Sequence, residues 1–238
     1  MRRVTAVLLL LLAGCSSGST PQAEPSPTPT PAATTEAPSP TASPTPTPTA
    51  SPTPSPTPRG LTVPAADGDV DGDGTRDVVQ ATATLLKVTL SSTGKPVTAA
   101  VHSDSPNRPA VLGYADVDRD GRSEVFLETA EGASTSFATP YRYDGKALVE
   151  LQLDGGPARL GMGGGITHGD GFVCLKTGLL EIRQATSDDG ETFTVQASSY
   201  RISGSQLVLV GAPRTSKGKQ GDPAVEASYT ADCGSVTG

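Results

Sequence analysis

Beyond Gly60, apolar and polar residues alternate with the period of two that places successive side chains on opposite faces of a strand. Leu86/Val88/Leu90, Val149/Leu151/Leu153 and Phe193/Val195/Ala197 follow this period, and Val125-Phe126-Leu127 is a short apolar run of β-formers. Turn pairs such as Asp144-Gly145, Asp189-Gly190 and Ser203-Gly204 separate these segments. The pattern predicts strands over residues 78–83, 86–90 and 97–101, then 125–128, 136–143 and 147–153, and finally 172–175, 179–185, 192–202 and 207–210. No segment long enough for a helix keeps a 3.6-residue period, so the expected fold is all-β, with about three antiparallel meander units.

The first 59 residues carry a different pattern. Arg2 and Arg3 precede an apolar run at residues 4–11, and Leu12-Ala13-Gly14-Cys15 follows. A short apolar core behind a positive start and before small residues reads as a secretory signal. The tetrapeptide resembles the bacterial lipobox, which implies lipidation of Cys15 and attachment to the extracytoplasmic face of a membrane. Of the 38 residues from 21 to 58, 35 are Pro, Ser, Thr or Ala, a composition that cannot build a core and predicts a solvated, disordered spacer. The expected organisation is therefore a signal peptide over 1–14, a lipidated cysteine with its linker over 15–59, and a β domain over 60–238.

One self-similarity dominates that domain. Asp69-Val70-Asp71-Gly72-Asp73-Gly74-Thr75-Arg76-Asp77 returns 47 residues later as Asp116-Val117-Asp118-Arg119-Asp120-Gly121-Arg122-Ser123-Glu124, each followed by apolar strand residues. A third unit is headed by Gly169-Asp170-Gly171, where the acids are gone. A period in the forties is repeat spacing. These loops resemble the calcium loops of FG-GAP/VCBS repeats in integrin-like β-propellers, which implies blade-like units with Ca²⁺ in the hairpin loops. Propellers generally hold four or more blades, so three units imply an incomplete ring.

Calcium takes six to eight hard oxygen ligands, and acids at alternate positions of a curled loop can converge on one ion. The expected ligands are Asp69, Asp71, Asp73 and Asp77 with the Thr75 carbonyl, and Asp116, Asp118, Asp120 and Glu124 with the Arg122 carbonyl. Gly74 and Gly121 permit the turn. An EF-hand would need an acid at position twelve, where Gln80 and Leu127 stand. Solvated acid turns without an ion are the remaining alternative, although four clustered carboxylates repel one another.

The other chemistry is sparse. With Cys15 assigned to lipid, export favours a disulfide between Cys174 and Cys233 that fastens the C-terminal tail. His102 and His168 sit in no hydrolase motif, and a zinc site at His168 and Cys174 matches no standard spacing. The glycine-rich stretch 161–165 lacks the context of a phosphate loop, and residues 214–220 read as a solvated loop rather than a nucleotide site. The domain from Gly60 carries 15 Lys+Arg and 23 Asp+Glu, a net charge of −8, which argues against nucleic acid as a partner. The resulting expectation is a membrane-anchored lipoprotein with two structural Ca²⁺ ions and no catalytic motif. A cell-wall glycan or a protein would be its partner. The competing expectations are an envelope hydrolase using Asp170, Asp188 or Glu191, and an accessory or sensor subunit of a surface complex.

Overall fold

The computed structural model describes residues 67–104 and 109–237, all within the unit Thr57–Gly238. The signal segment, Cys15 and the Pro-rich spacer lie outside the described residues. The first predicted group forms its own sheet: β1 (Val78–Ala81), β2 (Leu85–Thr89) and β3 (Pro96–Ala100) make an antiparallel meander. Leu86 and Val88 of β2 are fully buried while their strand neighbours are not, as alternation requires.

The rest of the chain forms one larger sheet. Its strands begin with β4 (Ala110–Ala115), β5 (Glu124–Glu131), β6 (Thr135–Tyr143), β7 (Leu148–Glu150), β8 (Gln152–Leu153), β9 (Gly156–Pro157) and β10 (Leu160–Gly164). They continue with β11 (His168–Leu175), β12 (Leu179–Thr186), β13 (Thr192–Ser203), β14 (Gln206–Leu209), β15 (Arg214–Lys219), β16 (Ala231–Cys233) and β17 (Val236–Thr237). The order is β4-β5-β6-β10-β11-β12-β13-β14-β8-β9, with β7 added to β6, β15 to β13, and the β16–β17 pair to β11. All pairings are antiparallel except β14–β8 and β11–β16. The one helix among the described residues is α1 (Pro223–Glu226), so the fold is all-β as expected. The 148–153 segment bonds to β6 through β7 and to β14 through β8, but no ladder closes the sheet into a ring.

Two apolar clusters hold these elements. Val70, Leu86, Val88, Leu90 and Val101 pack with Val125, Leu127, Tyr141 and Leu148, so the small meander is fastened to β5 and β6. Phe126 and Phe172 stack with centroids 5.9 Å apart inside the larger cluster, together with Leu151, Leu160, Leu180 and Leu207. Fully burying a side chain of this size contributes about 1.5–3 kcal/mol.

Three features differ from the sequence pattern. Gly169-Asp170-Gly171 is not a loop but part of β11. The glycine-rich stretch forms β10, and these glycines admit residues 229–231 against the sheet: a Cβ on Gly169 would lie 2.5 Å from the Tyr229 ring, and one on Gly171 would lie 2.6 Å from the Thr230 carbonyl. Residues 214–219 are the edge strand β15 rather than a loop. The Cys174–Cys233 disulfide, with Cα atoms 4.7 Å apart, fastens β16 beside β11.

Candidate metal sites

Both acid loops precede a strand and share one backbone course. Position six is left-handed in each, with φ +88° at Gly74 and at Gly121. Position four is left-handed too, at Gly72 (φ +78°) and at Arg119 (φ +62°), where a side chain meets the steric cost that glycine avoids. The first carboxylate of each loop accepts the position-six N–H: Gly74 N to Asp69 Oδ2 at 2.8 Å, and Gly121 N to Asp116 Oδ2 at 3.1 Å. The fifth accepts the position-seven N–H: Thr75 N to Asp73 Oδ1 at 2.7 Å, and Arg122 N to Asp120 Oδ1 at 2.9 Å. The ninth reaches back to the position-two N–H: Val70 N to Asp77 Oδ2 at 2.8 Å, and Val117 N to Glu124 Oε2 at 2.9 Å. Position nine thus clamps the loop in both repeats.

In the first loop Asp69, Asp71 and Asp77 bring carboxylate oxygens within 4.8 Å of one another. Asp73 stands outside this group, where its Oδ2 accepts the Ser91 hydroxyl at 2.9 Å. That hydroxyl also lies 3.3 Å from the Thr75 carbonyl oxygen. Ser91 N donates to Asp77 Oδ1 at 2.6 Å, and Ser92 Oγ donates to Asp71 Oδ2. Every carboxylate oxygen of this loop therefore has an N–H or O–H donor.

The second loop gathers Asp116, Asp118 and Asp120 within the same 4.8 Å. Glu124, one methylene longer than Asp77, is not in the group and stays buried at its amide clamp. The Arg122 side chain lies over the Tyr143 ring at 6.0 Å. Where the first loop has serines, the second has Arg142 of β6, which pairs with Asp118 Oδ2 at 3.2 Å and Asp120 Oδ2 at 3.0 Å. Asp116 Oδ1 and Asp118 Oδ1 are nevertheless buried with no hydrogen-bond partner. An unpartnered buried carboxylate oxygen is costly, and a cation is the group that satisfies it.

The electrostatics agree. Burial pushes the carboxyls of Asp69, Asp116 and Asp118 above the usual carboxylate range, and that of Glu124 well above it, against the hydrogen bonds that favour ionisation. Four acids and one guanidinium leave the second loop with three negative charges, so a divalent cation would lower both the repulsion and the desolvation cost. The two loops are neighbours: Ser123 N donates to the Asp69 carbonyl at 2.7 Å, and a Cβ on Gly72 would lie 3.2 Å from the Gly121 carbonyl oxygen.

Ser91, Ser92 and Arg142 were not expected as partners of the loops. Their only sequence signal is a polar residue at the end of a predicted strand. The acids considered for hydrolysis are dispersed, with Asp170 in β11 near Gln184, and Asp188 and Glu191 exposed on the β12–β13 turn. The two Asp clusters can hold metal ions, and nothing in their geometry is specific to one partner molecule. No protein-family model, curated protein or solved structure matches this chain.

Proposed function

We propose that this chain is an extracytoplasmic lipoprotein whose β domain, related to the FG-GAP/VCBS repeats, binds Ca²⁺ as a structural ion in its Asp loops. Its role is binding or scaffolding at the cell envelope. The observation that carries the metal reading is the pair of buried, unpartnered oxygens, Asp116 Oδ1 and Asp118 Oδ1, among three converging carboxylates. A cage built of carboxylates and backbone carbonyls suits Ca²⁺, because Mg²⁺ tends to retain several of its waters. The lipidated Cys15 and the Pro-rich spacer support display at a distance from the membrane, with a cell-wall glycan or protein as the partner. Isothermal titration of the EDTA-treated full chain tests this reading: Ca²⁺ binding with Mg²⁺ much weaker is the expected result, and absence of Ca²⁺ binding at millimolar concentration refutes it. For the anchor, Cys15→Ala releases the protein from the membrane fraction, and retention there refutes lipidation.

A further inference from the structure

A second charged site lies on β12, β13 and β15, built from groups that the acid loops do not use. Arg183 of β12, Ala197 of β13 and Arg214 of β15 are in register across three strands, so they share one face of the sheet. Adjacent strands lie about 4.8 Å apart, so the two arginine backbones stand roughly 10 Å from each other across a single methyl group. Glu181, two residues before Arg183 on the same face, has a side chain only 3% exposed. It accepts from Arg183 Nε at 2.9 Å through Oε1, and from Arg214 Nη2 through Oε2. Farther along this face, Phe193 and Gly218 are in register and Val225 of α1 covers them. The cover stops short of the arginines and leaves a cleft of about 440 Å³ with Val195 and Ala197 on its floor and Pro223, Ala224 and Ala227 at its wall.

A buried carboxylate holding two guanidinium groups leaves one positive charge in a domain that is otherwise acidic. Arg183 commits Nε and Arg214 commits Nη2, while their remaining N–H groups have no acceptor among the described residues. Glu181 thus sets the orientation of two forks that match a planar carboxylate. The apolar floor and wall match a short aliphatic body, and the volume lies in the range of small-molecule sites. We propose that this cleft binds a small aliphatic carboxylate, its anionic group between Arg183 and Arg214 and its hydrocarbon over Val195 and Ala197. One bound monoanion brings the site to neutrality.

NMR titration of the ¹⁵N-labelled full chain with sodium acetate, sodium butyrate and inorganic phosphate, at constant ionic strength in chloride, tests the proposal. Butyrate should give saturable shifts at the Arg183 Nε–H and at the amides of Val195 and Ser216. It should bind about tenfold tighter than acetate, because two further methylenes are buried. Arg214→Gln, at a side chain 71% exposed and therefore dispensable for folding, should weaken butyrate about tenfold through loss of a charge-assisted bond. Lys87→Gln in β2 should change nothing. Glu181→Gln, which removes the internal counter-anion, should tighten butyrate, whereas a purely structural ion pair gives no such gain. The proposal is overturned by unsaturable shifts, by butyrate affinity unchanged in Arg214→Gln or not raised in Glu181→Gln, or by phosphate binding as tightly as butyrate. Should Glu181→Gln fail to fold, the Arg214→Gln comparison decides alone.

Discussion

Asp118→Asn separates the two roles of the second loop, because the carboxylate it removes is harmful without metal and needed with it. Asp118 lies within 4.8 Å of the carboxylates of Asp116 and Asp120, and 3.2 Å from Arg142. At an effective dielectric constant of about 20, each carboxylate repulsion at that separation is worth about 3.5 kcal/mol and the attraction to Arg142 about 5 kcal/mol. Removing the charge therefore relieves about 2 kcal/mol, and solvent at the partly exposed side chains reduces this to about 1 kcal/mol. In EDTA the variant should be more stable than the wild type, with Tm higher by about 2–4 °C for a domain of this size. At a Kd of about 10⁻⁴–10⁻³ M, usual for extracellular modules, about 5 mM Ca²⁺ stabilises by roughly 1–2 kcal/mol per site. Asp118→Asn should forfeit one such contribution, so the rise in Tm between EDTA and Ca²⁺ should fall to about half, the other loop remaining intact. Thermal melts of the full chain followed by far-ultraviolet circular dichroism measure both quantities. A variant that melts below the wild type in EDTA and keeps the full calcium response would refute the assignment of Asp118 as a ligand.

Other perturbations probe the loops and their frame. Gly121→Ala places a Cβ in open space but at φ +88°, so it should cost about 1–2 kcal/mol of pure backbone strain, seen as a lower Tm in urea-free melts. Replacing Cys174 and Cys233 together by Ala removes a link across 59 residues, which should cost about 4 kcal/mol on the chain-entropy account; the urea midpoint with and without reductant measures it. Asp189 accepts from Glu191 N, Thr192 N and Ser187 Oγ, and these bonds hold its carboxyl below the usual carboxylate range. A depressed folded-state pKa stabilises above the unfolded value and fades as pH falls through the folded one. Asp189→Asn should thus lower Tm slightly at pH 7 and make no difference in strong acid; a gap that persists there would count against the turn.

The strands that could be read from sequence are those whose burial is one-sided. Leu86, Val88 and Leu90 are buried on one face of the small meander, and their spacing declares it. β4 was not legible because its register shifts between Val111 and Gly113, which breaks the period of two. β10 and β11 hide behind glycines whose role is set by Tyr229 and Thr230, more than 55 residues away in the chain. β15 pairs only with β13 and is almost wholly exposed, so charge and polarity mask it. The acid loops were visible as spaced carboxylates, but their closing partners were not. Ser91, Ser92 and Arg142 reach acids 14 to 22 residues earlier through the hairpin, a relation that no local pattern carries.

The contacts between turns also explain why the acidity stops after two loops. The first loop meets the second through Asp69 and Ser123, and the second meets the β11–β12 turn, where Gly178 approaches the Asp118 carbonyl and Arg119 donates to the Lys176 carbonyl. The third place in this row belongs to Lys176-Thr177-Gly178, which has no acid, and not to Gly169-Asp170-Gly171, which β11 has absorbed. The β11–β12 turn is short because the two strands pair without interruption from His168↔Thr186 to Leu175↔Leu179, leaving no residues from which to curl a ligand loop. Without the eight loop acids the domain from Gly60 would have equal numbers of each charge. The net charge of this domain is therefore the charge of its first two turns, and a cation bound there acts on the edge where the small meander joins the larger sheet.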